Sequence, residues 1–92
     1  MRLGTKAMTL NIAEKVENDD SFAKSVVDAI KRFQHEDFGD LSEEDKHVNS
    51  EALTNGGMVM GAYGEEENRF WIMRDSDGKG SFVTTVLFPD EY

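Results

Sequence analysis

The chain has no cysteine among its 92 residues, which excludes disulfides, thiolate zinc sites and cysteine nucleophiles. It has a single proline, Pro89. No apolar run comes near the roughly 20 residues that a membrane helix requires. The opening MRLGTKAMTLNI also lacks the apolar centre and small-residue cleavage site of a secretory signal, so the sequence predicts a protein of the cytoplasm. Bases are scarce: 10 Lys and Arg stand against 19 Asp and Glu, for a net charge of −9. This deficit is uneven. Residues 1–35 hold five acids and six bases, whereas residues 36–92 hold fourteen acids and four bases. A surface so anionic repels phosphate backbones and is drawn to basic grooves, so direct nucleic-acid binding is not expected.

What is present suffices for one domain over residues 1–92, with a two-layer core and no room for a deep cofactor cavity. Lys6–Ile12, KAMTLNI, alternates Met8, Leu10 and Ile12 and reads as a strand. Asn18 to Ser21 offer N-cap chemistry, and Phe22, Val26, Val27, Ile30 and Phe33 follow at helical spacing, predicting a helix over 20–34 with Asp28 and Arg32 as an i,i+4 pair. Ser42-Glu43-Glu44-Asp45 starts a second helix, with acids crowding its first turn and Val48, Ala52 and Leu53 as its apolar stripe. Asn55-Gly56-Gly57 ends it. From Met58 the period changes to two, giving strands at MVMGAYG, RFWIM and SFVTTVLF joined by polar turns, until Pro89 stops the last. The order β-α-α-β-β-β predicts an α+β two-layer sandwich, two helices packed on an antiparallel sheet of three to four strands.

No stretch carries recognisable catalytic or metal chemistry. Asp37-Phe38-Gly39 matches the kinase triplet but lacks the Gly-rich loop, the strand lysine and the catalytic loop. Asp75-Ser76-Asp77-Gly78-Lys79-Gly80 begins like a calcium loop, yet Lys79 falls on a ligand position and Val86 stands where a bidentate glutamate is needed, so a hairpin turn is expected. His35 and His47 are not at zinc-site spacing, and His35 reads as a partner for a helix C-terminus. The pairs Asp37/Asp40 and Glu43/Glu44 sit in a run too polar to bury, which removes the desolvation that acid catalysis needs. The reading is of a non-enzyme with no cofactor. In Phe70-Trp71-Ile72-Met73, alternation sends Phe70 and Ile72 to one face and Trp71 and Met73 to the other, so Trp71 with Met58 and Met60 forms a binding patch if that face is uncovered.

At Phe38–Lys46, FGDLSEEDK, and again at Val83–Tyr92, VTTVLFPDEY, the chain resembles a family of small acidic proteins carried on plasmids and conjugative elements of Gram-positive bacteria. The family pattern is a helix ending in a basic residue and His, then G-D-W-G-D, S/C-E-E-D, a W-I-I-T strand and a closing S-V-T-T-x-L-x-P-E-E-Y. The match runs from about Phe22 to Tyr92. Phe38 replaces the family's tryptophan, Glu36-Asp37 a glycine-containing step, and RDSDGKG a more compact turn. What the resemblance implies is a gene on mobile DNA and an anti-CRISPR-like or anti-restriction role as an inhibitor of host defence. Joined to the charge pattern, it makes Asp37, Asp40, Glu43, Glu44 and Asp45 the expected phosphate-mimicking contacts. Glu65, Glu66 and Glu67 form a second acidic edge, and Trp71 serves the alternative of a mobile-element adaptor that holds a protein through an aromatic sheet face. The expected partner is a protein with a basic groove, a CRISPR effector before a restriction enzyme.

Overall fold

The change of period at Met58 becomes a three-strand meander. The computed structural model describes all of residues 1–92. It contains strands β1 (Thr5–Met8), β2 (Val59–Tyr63), β3 (Phe70–Ser76) and β4 (Phe82–Leu87), and helices α1 (Leu10–Asn18), α2 (Asp20–Gln34) and α3 (Glu43–Asn55). Two single 3-10 turns, Glu66–Asn68 and Pro89–Glu91, follow β2 and β4. The α+β class is as the sequence predicts, and no helix is long and apolar enough to cross a membrane.

The sheet runs β1-β4-β3-β2, with β2–β3 and β3–β4 antiparallel and β1 parallel to β4. It is therefore mixed rather than antiparallel throughout, and there are three helices rather than two. The expected strand over Lys6–Ile12 stops at Met8 because Thr9 caps a helix: its side-chain oxygen accepts the Ile12 N–H at 3.3 Å. Ile12 then turns inward and is fully buried, while Leu10 is left 74% exposed. Asp19 and Ser42 cap α2 and α3 in the same way, accepting from Phe22 N–H and Asp45 N–H, and Gly56 closes α3 at φ 81°.

Phe70 and Ile72 of β3 point to the helical side, where Phe22, Val26, Ala29 and Phe33 of α2 meet them together with Ile12, Val59, Tyr63 and Val86. The Phe22 ring stands edge-on to Phe70 at 5.5 Å, and Tyr63 stacks on Phe70 from 5.9 Å. Burying each of these large side chains contributes roughly 1.5–3 kcal/mol. Phe38 packs against the same core, edge-on to Phe33 at 5.6 Å. Buried Arg74 pins the N-terminal segment: it donates to the Arg2 carbonyl at 2.9 Å and lies 3.9 Å over the Phe82 ring. On the opposite sheet face Met60, Trp71, Met73, Val83 and Thr85 are half-buried and take no part in the core.

Candidate interaction surface

An outermost strand presents a row of backbone groups with nothing to bond. At β2 those groups belong to Met60 and Ala62, and both residues are satisfied. The Asn49 side chain of α3 donates to the Met60 carbonyl at 2.7 Å and accepts the Met60 N–H at 3.0 Å. Ala62 N–H donates to the Phe38 carbonyl at 3.0 Å, and Asp40 N–H donates to the Ala62 carbonyl at 2.8 Å. The segment around Asp37-Phe38-Gly39-Asp40 is thus a cover for the sheet edge. Gly39 makes this contact at φ 71°, where a Cβ would strike the Ala62 carbonyl oxygen.

The cover is anchored by charge. Arg32 holds Asp37 through two hydrogen bonds at 2.8 and 3.3 Å, displacing the Asp28–Arg32 pair that helical spacing predicts. That guanidinium, with help from Gly39 N–H, holds the Asp37 carboxyl below its usual range. Arg32 also lies 5.1 Å over the Tyr63 ring, and the Tyr63 hydroxyl donates to the Asp37 carbonyl at 2.7 Å. Burial pushes that hydroxyl well above its ordinary pKa, so it remains a donor. Asp40 is paired with Arg69 at 2.7 Å.

This last pair joins the two acidic stretches. Arg69 ends the turn that carries Glu65, Glu66 and Glu67, so Asp40 and Glu65 come to line one shallow depression with Arg32, Gly39, Gly64 and Tyr63. Glu66, Glu67 and Arg69 border a second depression that adds Asp90. Glu43, Glu44 and Asp45 are exposed on the first turn of α3, which begins three residues after Asp40, and only Glu43 has a cation in contact, Lys46 at 3.4 Å. The acids therefore follow one another in a band from the start of α3 over Asp40 to Glu65–Glu67 and on to Asp90, with Arg32, Lys46 and Arg69 set among them. Trp71 does not belong to it. It lies on the sheet face away from the helices, edge-on to Tyr92 at 5.9 Å, between Ala62 and Leu87. Met60 and Met73 share that face, but Met58 precedes the strand and is not part of its alternation.

Two residues of the site escape a reading by pattern. Asn49 replaces Val48 in the α3 stripe: Asn49 is 3% exposed and Val48 53%. A buried polar residue at helical spacing with Ala52 and Leu53 was the available signal. Asp90 carried only the signal of an acid following Pro89 at the start of a turn. The Asp75–Gly80 stretch is a hairpin turn, as expected, with the Asp77 carboxylate accepting from Lys79 N–H and Ser81 N–H. No group of three or more histidines and carboxylates is placed to hold a metal ion. No family model, curated protein or solved structure matches the chain.

Proposed function

We propose that the protein is a stoichiometric, non-catalytic inhibitor of a nucleic-acid-dependent defence nuclease in the cytoplasm of a bacterial host, foremost a CRISPR effector and next a restriction enzyme. The observation that carries this reading is the convergence of acidic segments from distant parts of the chain into one band. Such a band offers a basic groove the charge of a nucleic-acid backbone on a rigid support. Asp37 and Asp40 act mainly as anchors of the edge cover in this scheme, and the exposed acids Glu43, Glu44, Asp45, Glu65, Glu66 and Glu67 make the contacts. The resemblance to proteins of plasmids and conjugative elements points to the same class of target, and no metal, cofactor or bound nucleic acid enters the scheme.

The test is a DNA-cleavage assay with guide-loaded CRISPR effectors of Gram-positive bacteria and, separately, restriction endonucleases. Inhibition is expected near equimolar protein and should weaken steeply with salt. It should fall about tenfold or more, some 1.4 kcal/mol, when these six exposed acids become Gln or Asn and Asp37 and Asp40 are kept. Undiminished inhibition by that variant, or none across the panel, refutes the proposal. A second reading, an adaptor that holds a protein through the sheet face, is favoured by one observation: Trp71, Met60 and Met73 lie half-exposed on the face that the core leaves unused. It requires binding nearly indifferent to salt and lost on Trp71→Ala.

A further inference from the structure

The two edges of the sheet are treated differently. At β2, a buried asparagine and a loop satisfy every outward backbone group. At β1 nothing does. Thr9 N–H donates to the Val86 carbonyl, and with the register Lys6↔Thr84 and Met8↔Val86 this turns Thr5, Ala7 and Thr9 toward β4. The N–H and C=O groups of Lys6 and Met8 are left pointing out of the sheet. All four residues of β1 are exposed. Beneath this edge, between β1 and α2, lies a cavity of about 220 Å³ lined by Lys6, Ala7, Met8, Ile30, Thr84 and Val86. It is smaller than the roughly 300 Å³ at which small-molecule sites begin, and its lining is mostly apolar. Val27 sits one helical turn before Ile30 and is 51% exposed, and Met8 is 45% exposed.

We infer that the β1 edge and this cavity receive an extended acidic segment of a partner protein, which adds to the sheet as a fifth strand. Lys6 and Met8 supply the main-chain hydrogen bonds, and alternate apolar side chains of the segment enter the cavity against Ile30 and Val86. Charge selects an acidic occupant. Lys6 is the only charged residue lining the cavity, Arg2 lies just before β1, and Lys31 follows Ile30 on α2. This is the part of the chain in which bases outnumber acids. A second copy is disfavoured for the same reason, because two such edges would bring like charges together. The surface is separate from the acidic band, and the inference stands or falls independently of the nuclease proposal.

The probe is a fluorescein-labelled nonapeptide alternating Glu with Val, followed by anisotropy and by amide hydrogen exchange on the full chain. Saturable binding is expected, with the Lys6 and Met8 amides protected about tenfold or more. Replacing Glu by Lys in the peptide should weaken binding about tenfold or more, as should Ile30→Glu in the protein. N-methylation of one alternate set of peptide amides should abolish binding and of the other set leave it intact, a readout that leaves the protein unaltered. The inference is overturned by absence of saturation at millimolar peptide, by unprotected Lys6 and Met8, or by indifference to the N-methyl pattern. A peptide-independent dimer that protects the same amides would also overturn it.

Discussion

Replacing Asn49 by alanine should open the closed edge of the sheet. The substitution removes two hydrogen bonds to Met60, at 2.7 and 3.0 Å, each worth about 0.5–1.5 kcal/mol net. It also leaves a donor and an acceptor without partners in half-buried surroundings, where part of the desolvation penalty of roughly 1–3 kcal/mol per group is felt. Water reaches Met60 in part, so the combined loss should be about 2–4 kcal/mol, a large share of the roughly 5–15 kcal/mol that holds a domain together. For a chain of this size the midpoint of thermal unfolding should fall by about 10–30 °C. Asn49→Asp should do no better, since a carboxylate keeps the contact with the Met60 N–H but opposes the Met60 carbonyl. Circular dichroism melts give the total, and amide exchange locates it: Met60 should lose protection before Gly61, which bonds inward to β3. A melting point within about 3 °C of the wild type would mean that water replaces the amide without penalty, and the account of the edge would be wrong.

Asp37→Asn keeps an acceptor for Gly39 N–H but removes the charge and, with it, the oxygen that accepts from Arg32 Nε. Both partners of the Arg32–Asp37 pair are about half exposed, so the loss at neutral pH should be about 0.2–1 kcal/mol. The folded pKa of Asp37 is lowered. Its stabilisation is therefore complete above the ordinary aspartate value and disappears as pH falls through the folded one, so urea midpoints of wild type and variant should differ at pH 7 and converge in strong acid. Gly39→Ala should cost about 1–3 kcal/mol from the left-handed backbone, and more as the bonds of Phe38 and Asp40 to Ala62 are pushed apart. Gly56→Ala, at φ 81° with nothing within 4 Å, measures the backbone part alone. Equal losses at the two glycines would show that the Gly39 contact is unimportant.

Local signals made most of the elements legible. The α2 stripe, the Ser42 cap, the turn glycines and the two-residue period after Met58 each act within a few residues, and each reappears in the structure. Failure came where a local pattern ran across a boundary. Met8, Leu10 and Ile12 alternate as a strand would, but the Thr9 cap divides them, and the better signal was Ile12, Ala13 and Val16 on one helical face. The parallel pairing of β1, the Asn49 clamp and the Asp40–Arg69 bridge join residues far apart in sequence, and periodicity has no access to them. The acids themselves were plain in the sequence. That they form one band, and that Asp37 and Asp40 have structural duties within it, depended on where β2 ends.

The β1–β4 pairing sets an order on folding. The β2–β3–β4 meander and the α1–α2 pair form from neighbours along the chain, but β1 has no partner until β4 exists. The Thr84 hydroxyl reaches the Leu3 carbonyl across 81 residues, and Glu91 accepts from Thr9 and Asn11 across a similar span. Contacts of such separation form late and slow the overall rate. Along the chain β1 comes ahead of the other three strands and β4 after them, so the first strand waits until the meander has been made. Until β1 docks, the completed meander carries a raw edge on β4, and the arrival of β1 covers that edge and leaves the shorter one of β1 in its place.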